Sequence, residues 1–442
     1  MKIQKVLDRV KEQLKDYQWE IYYLETKKLR SESKDLDIDV LTSSDEIGYS
    51  LRVLKNNSQG FAYSSSFEDD DILETIQKAK ELAEISSPDE ANGFVEEKVD
   101  VEKLEYFDTF GVKTDPLTKA LNAVELEKIT KSLDGRIKRT RNSSFSETVF
   151  ETGIFNSNGI EIVEKGTVYS AMIAAVAEEN GDSQISWSYG ASRFLEDLNL
   201  EEIAREAVYN AVNLLNAVVI KTKEMPVLLS PYISASFLST FSSAFSGDSL
   251  IKGKTLFEGK EGLKLTSELI SIIDDGRYPK GIGTSTYDDE GTPTQKTPLI
   301  ENGIFKGFLH NIYTAKKLGT KSTGNGSRAG FRSLPSVGSS NLFIQNGNND
   351  ISEVLKEYDE LFYVTDVMGL HTADPISGEF SVGASGILFS KGEIVHGVRG
   401  VTIADNYLNL LDKVCAVGND LKFYGSVGSP SVLVEKVMVA GE

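Results

Sequence analysis

Two polar loops on either side of a predicted hairpin carry residue types suited to binding a ligand. The hairpin spans residues 298–308 and turns at Asn302-Gly303, a pair that readily adopts the positive φ angles of a tight primed turn. The candidate binding residues of the two loops are Asp289, Glu290, Gly324, Asn325 and Arg328. Carboxylates and a guanidinium bind charged groups, and glycine leaves its backbone N–H and C=O unhindered. Ordinary surface turns have the same composition, so the pattern alone leaves both interpretations open.

A third candidate loop covers residues 369–381 and combines a histidine with two carboxylates. It contains His371, Asp374 and Glu379 in a turn-rich stretch between predicted strands. A hydrolase could use His371 with Asp374 or Glu379 as a proton-transfer pair. A turn held by local side-chain to backbone hydrogen bonds explains the same residues equally well.

Metal chemistry has few candidate ligands in this sequence. Catalytic zinc needs three protein ligands and one open position. The chain has three histidines, His310, His371 and His396, which are far apart in sequence and fall in predicted strands or loops. A site built from all three is the less favoured hypothesis, because dispersed histidines usually serve as hydrogen-bonding groups. The single cysteine, Cys415, excludes an intramolecular disulfide and a cysteine-cluster metal site.

Composition narrows the functional classes. The 442 residues include 47 basic and 67 acidic side chains, a net charge of −20 without a compensating basic tract. This balance disfavours nucleic-acid binding, which usually concentrates Lys and Arg on one face. No apolar run reaches membrane-spanning length, and the first 20 residues have no apolar signal core. We therefore expect a soluble, cytoplasmic protein that binds neither nucleic acid nor membranes.

The elements that would position these loops predict an α+β fold of two domains, 1–220 and 221–442. In the first domain, residues 1–20 have the pattern of an amphipathic helix, and strands are expected from residue 36 onward. Two stretches of strands, each followed by a helix, suggest a repeated β-meander and helix unit. The second domain is predicted to be mostly antiparallel β-structure with one prominent helix, which begins after Ser230-Pro231 and extends to about Phe245.

Several segments resemble the TldD/PmbA family. The matching segments are 289–294, 299–303, 313–319, 322–325, 378–386 and 430–441, and the order and spacing agree over most of the chain, including residues 196–198. The resemblance implies a two-subunit peptidase that takes unfolded peptides into a chamber between its subunits. In the family, the TldD subunit carries zinc on an H-E-x-x-x-H helix and the PmbA (TldE) subunit lacks it. Family members have also been named gyrase modulators.

The helix that would carry the zinc ligands contains none of them here. Residues 234–245 read SASFLSTFSSAF, without a histidine or a glutamate. Serine and threonine hydroxyls are poor zinc ligands. The resemblance therefore implies a PmbA/TldE-like chain without metal or cofactor of its own, with zinc only in a TldD-like partner.

The expected function is that of a non-zinc subunit which shapes the chamber and binds peptide. Its partners would be a TldD-like zinc subunit, a second copy of itself, or both. We expect the loops at Asp289-Glu290 and 324–328, with the loop at His371 and Asp374, to line one peptide-binding cavity. Arg328 would hold a substrate carboxylate or pair with Asp289. The alternative is an independent homodimer that binds peptide or serves a structural role without catalysis.

Overall fold

The N-terminal half is built on one antiparallel sheet flanked by helices. The computed structural model describes residues 2–442. The elements of this half are α1 (Ile3–Gln13), β1 (Gln18–Lys34), β2 (Asp37–Lys55), β3 (Ser58–Ser64), α2 (Asp69–Ile85), α3 (Pro116–Leu133), β4 (Ile137–Asn156), β5 (Glu161–Glu179), β6 (Asp182–Ser192) and α4 (Leu200–Asn213), with 3-10 turns at Gly111–Lys113 and Leu195–Asp197.

The sheet has the strand order β3-β2-β1-β4-β5-β6, with β1 and β4 paired at its centre. Each half of the sheet is therefore a meander followed by a helix, as predicted for the repeated unit, and a further helix precedes each meander. The buried face of α2 comprises Ile72, Ile76, Ala79 and Ala83, which are spaced three or four residues apart, together with Thr75. α4 begins where expected, because the Asn199 side chain accepts a hydrogen bond from the Glu202 N–H at 3.0 Å.

The first 35 residues differ from the expected pattern. The N-terminal helix ends at Gln13, and a strand that the sequence did not predict, β1, runs from Gln18 to Lys34. The second half of β1 is rich in lysine, arginine and glutamate, and its buried positions include the small polar residues Thr26, Ser31 and Ser33, which hides its strand character. Pairing with β2 on one side and β4 on the other stabilises it.

The C-terminal half contains two further six-stranded sheets. Its elements are β7 (Lys223–Leu229), α5 (Pro231–Phe241), α6 (Gly247–Ile251), β8 (Ile272–Asp275), β9 (Lys296–Glu301), β10 (Ile304–Phe305), α7 (Ile312–Leu318), β11 (Gly326–Ser327), β12 (Ser336–Val337), β13 (Leu342–Ile344), α8 (Ile351–Glu357), β14 (Leu361–Met368), β15 (Glu379–Ser390), β16 (Glu393–Asn406), α9 (Tyr407–Asp412), β17 (Val414–Val417), β18 (Lys422–Tyr424), β19 (Val427–Ser429) and β20 (Val432–Ala440), with 3-10 turns at Ser242–Phe245 and Leu370–Thr372.

One sheet has the order β10-β9-β8-β13-β19-β18 and includes the expected hairpin, with φ of +48° at Asn302 and +81° at Gly303. The other has the order β16-β15-β14-β7-β20-β17, and a pairing between β16 and β20 closes five of its strands into a ring. Most neighbours are antiparallel, and α5 packs between the sheets within the largest apolar core. These findings confirm the α+β class.

An apolar cluster joins the two halves beside the candidate loops. Tyr22, Ile154 and Ile162 of the first sheet pack with Tyr287 and Phe331 of the second half. All strands of the first sheet precede residue 193, and all strands of the other sheets follow residue 222. Because no sheet crosses this interval, we retain residue 220 as the proposed domain boundary. Across residues 2–442, every helix is too short or too polar to span a lipid bilayer.

Candidate functional site

The acidic and glycine-rich loops meet beneath the central sheet of the N-terminal half. The Asp289 N–H donates to the Gly326 carbonyl at 2.9 Å, and the Gly326 N–H donates to Asp288 Oδ2 at 2.8 Å. These bonds confirm that the loops flanking the hairpin are neighbours. With β4 and β5 they enclose a polar space of about 240 Å³, here called the inner cavity. Its polar and charged lining includes Tyr106, Glu164, Arg193, Asp288, Asp289 and Asn325.

A buried ion network fixes the acidic loop to the N-terminal sheet. The Arg52 guanidinium donates two hydrogen bonds to Glu20, at 2.8 and 2.9 Å, and contacts Glu290 Oε1 at 3.3 Å. Glu290 Oε2 also accepts from the Ile312 N–H at 2.9 Å. All three charged side chains are at most 5% exposed, so this pairing between the two halves of the chain lies away from water.

Arg328 extends the same network from the other loop. Its guanidinium pairs with Glu20 and donates to the Asp289 main-chain oxygen at 3.1 Å. The Asp289 carboxylate instead accepts from the Arg328 main-chain N–H at 2.8 Å and from the Tyr22 hydroxyl at 3.3 Å. The side-chain pair between Arg328 and Asp289 that the sequence suggested is not formed. The Arg328 guanidinium is also buried and already bound to Glu20 and the Asp289 main chain, rather than free to hold a substrate carboxylate.

The carboxyl groups of this region outnumber the guanidinium groups. Burial, followed by the nearby charge of Glu290, raises the pKa of Asp288 well above its ordinary value. Burial likewise raises the pKa of Asp289 and of Glu290, while Arg52 opposes the rise at Glu290. Asp288 accepts main-chain hydrogen bonds from Glu290 and Thr292, at 3.0 and 2.8 Å, so it also organises the turn.

Asn325 connects the glycine-rich loop to a further buried carboxyl group. Its amide donates to Asp274 Oδ2 at 2.7 Å and to the Gly338 carbonyl at 2.9 Å. Burial raises the pKa of Asp274 to about 6, despite the hydrogen bonds from Asn325 and Ser340. Gly324, with φ of +71°, lies where an added Cβ would stand 2.3 Å from the Pro293 carbonyl oxygen. The loop is therefore tightly held.

His371 and Asp374 lie in a different environment. Both side chains are exposed, His371 in the 3-10 turn Leu370–Thr372 and Asp374 just after it. Asp374 Oδ1 accepts from the Ile376 N–H at 2.9 Å, which lowers the pKa of this carboxyl group. Glu379 is exposed as well, and Asn406 donates to it at 3.1 Å. Neither His371 nor Asp374 lines the inner cavity.

Five important residues of this region were not identified from the sequence. Glu20, Tyr22, Arg52, Glu164 and Arg193 all lie on strands of the first sheet or beside it. Glu20 and Arg52 are directly opposite each other in β1 and β2. A correct assignment of β1 would have revealed that register, but no local pattern marks Glu164 or Arg193.

The position expected for zinc ligands does not fit a metal. On α5, Phe237 packs edge-on against Phe380 at 4.9 Å between ring centroids, and Phe241 stacks on Tyr407 at 4.3 Å. Ser234 is buried beside Phe237 and Tyr407 in the same apolar interior. Throughout residues 2–442, no cluster of three or more His, Cys, Asp or Glu side chains is arranged to hold a metal ion. His310 is buried next to Thr314, apart from the exposed His371.

Comparison with protein families accounts for nearly the whole chain. Residues 19–83 match PmbA/TldA metallopeptidase domain 1, residues 95–215 match the central domain, and residues 222–441 match the C-terminal domain. The chain belongs to the PmbA/TldD family.

Individual relatives agree with this assignment. The chain is similar to an uncharacterised protein of Methanocaldococcus jannaschii, with 31% identity over 91% of this chain and 92% of that one. It is 27% identical to Metalloprotease PmbA of Escherichia coli O157:H7, over 89% of this chain and 85% of that one. The solved structure of TldE from Thermococcus kodakarensis superposes with a TM-score of 0.90, 27% identity and full coverage of both chains.

A candidate modulator of a DNA gyrase from Thermotoga maritima also superposes with a TM-score of 0.90, at 29% identity and 99% coverage of each chain. Within the PmbA/TldD family, the absence of the zinc motif from α5 places this chain with the TldE-like members. The apolar packing of α5 explains the sequence found there, because its inward face is part of the core.

Proposed function

We propose that this chain is the PmbA/TldE-like, non-zinc subunit of a cytoplasmic TldD/TldE-type metallopeptidase that acts on unfolded peptides. It shapes the peptide chamber, binds extended peptide and completes a TldD-like zinc subunit. The observation that carries the proposal is the combination of a full-length TldE-like fold with an α5 that has no zinc ligand. Zinc, and the Lewis-acid chemistry it supplies, would come from the partner.

The inner cavity is the proposed place of peptide contact. Asp289, Gly324 and Asn325 belong to its wall, and the wall contains several glycine and serine backbone segments. Such backbone can hydrogen-bond an extended peptide without side-chain obstruction. Glu290 and Arg328 hold the wall in place through Arg52 and Glu20. A contact between peptide and the exposed His371 and Asp374 stays a prediction.

Co-expression with a TldD-like protein from the same source tests the assembly. We expect the two chains to co-purify and zinc to be present once per pair, while this chain alone contains no stoichiometric zinc. Peptidase activity should require both chains. About one zinc in the isolated chain, lost on His371→Ala, would contradict the proposal. A stable homodimer that binds peptide but neither joins nor activates the partner would favour the independent binding protein instead.

A further inference from the structure

A second and larger cavity adjoins the inner one. Its volume is about 930 Å³, and it is here called the outer cavity. Residues 103–111 form one wall, and residues 163–165 of β5 and 194–196 form the others. Tyr106 and Glu164 line both cavities, so they mark the place where the two spaces adjoin. The wall therefore combines an irregular segment with a rigid strand.

The backbone of the irregular wall is largely free of main-chain pairing. Within residues 97–107, the Tyr106 carbonyl alone takes part in a main-chain hydrogen bond, accepting from the Thr167 N–H at 3.0 Å. Side chains hold the segment elsewhere: Arg277 donates to the Glu102 carbonyl at 2.9 Å, and Thr286 Oγ1 accepts from the Leu104 N–H at 3.4 Å. An extended peptide could pair with the unused groups as an added strand.

Glu164 is a carboxylate without a cationic partner. Among residues 2–442, no lysine, arginine or histidine nitrogen lies within 4.0 Å of it. Nearby glutamates on the same sheet are paired, Glu151 with Lys165 at 2.9 Å and Glu161 with Lys11 at 3.7 Å. Burial raises the pKa of Glu164 and the charge of Asp289 adds to the rise, although hydrogen bonding to Tyr106, Thr286 and the Tyr287 main chain opposes it. A bound cation would relieve both effects.

The buried cation of the inner cavity does not supply this charge. Arg193 donates to the carbonyl oxygens of Gly281, Ile282, Thr284 and Thr167. Its guanidinium also lies over the rings of Tyr106 and Phe150, at 5.4 and 5.5 Å from their centroids. Carbonyl dipoles and aromatic faces therefore stabilise Arg193, which does not pair with Glu164.

We propose that Glu164 binds the cationic group of a peptide whose main chain lies along residues 103–107. The cation is the peptide's α-ammonium group or a lysine or arginine side chain, which share the chemistry that Glu164 recognises. An ammonium N–H donated to a partly buried carboxylate forms a strong, charge-assisted hydrogen bond. This inference rests on the proposed peptide-binding function.

Fluorescence polarisation with the full chain, alone and with its TldD-like partner, tests the inference. The probes are three C-terminally labelled peptides of one lysine-free sequence: one with a free amino terminus, one acetylated, and one acetylated with a single added lysine. We expect the free peptide to bind at least tenfold more tightly than the acetylated one, about 1.4 kcal/mol. Glu164→Gln should remove this preference, and Glu164→Asp should retain part of it.

Glu161→Gln is the matched control, because it removes the same charge from β5 at an exposed position outside both cavities. It should leave the tenfold preference intact. Recovery of affinity by the added lysine would show that a side-chain cation also serves. If wild-type protein binds all three peptides equally, or Glu164→Gln retains the preference, the inference is wrong and peptide binding stands. If wild-type protein binds none of them, alone or with its partner, the proposed function is contradicted as well.

Discussion

Two loops with similar residue types have opposite environments in this protein. Asp288, Asp289 and Glu290 follow one another in a glycine-containing turn, and Asp374 and Glu379 occupy another. The first turn docks against the N-terminal sheet, where its carboxylates lose water and meet Arg52 and the Arg328 main chain. The second remains at the surface and bonds its own backbone. The difference arises from contacts with residues distant in sequence, such as Arg52, which is 238 positions from Glu290, and local sequence cannot reveal it.

The largest expected loss of stability comes from breaking the buried network of Glu20, Arg52 and Arg328, and it should far exceed the loss from breaking a surface ion pair. Arg328→Ala should lower the free energy of unfolding by about 3–5 kcal/mol, because it leaves Glu20 buried with one partner fewer. Arg332→Ala, which removes an exposed pair with Glu46, should cost less than about 1 kcal/mol. Urea unfolding of both variants measures the difference. Equal losses would mean that the network is not held away from water.

Glycine substitutions compare how tightly the two loops are packed. Gly324→Ala should destabilise by about 2–4 kcal/mol, because it combines a positive φ with a Cβ placed against the Pro293 carbonyl. Gly369→Ala has a similar φ of +88°, but its Cβ meets nothing closer than 3.9 Å, so about 1–2 kcal/mol is expected. Thermal or urea unfolding distinguishes them, and a reversed order would contradict the packing described for the glycine-rich loop.

The pH dependence of stability should have opposite signs at the two places. The pKa of Asp274 is about 6 in the folded protein, above its ordinary value near 4, so the folded state binds this proton more tightly. Its stabilising contribution, at most about 3 kcal/mol, is present below pH 4 and is lost as pH rises through 6. Asp274→Asn should flatten the stability profile between pH 4 and 6.

The pKa of Asp374 is shifted in the opposite direction from that of Asp274. Its pKa is lowered by the Ile376 N–H, so its contribution is present above its ordinary pKa and is lost as pH falls. Asp374→Asn should therefore leave the interval between pH 4 and 6 nearly unchanged. Unfolding followed at several pH values with both variants checks the signs. A profile that Asp274→Asn does not alter would show that folding does not raise the pKa of this carboxyl group.

The smallest effect is expected in the exposed loop. His371→Ala should change the free energy of unfolding by no more than about 0.5 kcal/mol, because the side chain is exposed at the surface. Zinc content should also be unaffected, and elemental analysis of wild type and variant checks this. A large loss of stability would contradict the exposed position of His371, because it would require buried contacts like those of the Asp288–Glu290 turn.

The sequence predicted well those features that depend on local patterns. Hydrophobic spacing identified α2 and α4, and Asn302-Gly303 identified the β9–β10 hairpin. Charged residues concealed β1, because its strand character comes from pairing on both sides. Asp289 and Asn325 were found from their loops, whereas Glu164 and Arg193 were missed, since only the docking of the two halves places them at a cavity.

The most direct test of the proposed role is a titration of a TldD-like partner with this chain while peptidase activity is measured on an unfolded peptide. A non-zinc subunit should be inactive alone, should raise the partner's activity in proportion to its concentration, and should saturate at one chain per zinc subunit. Activity of the partner that is unchanged by this chain, or peptidase activity of this chain by itself, would contradict the role proposed for it.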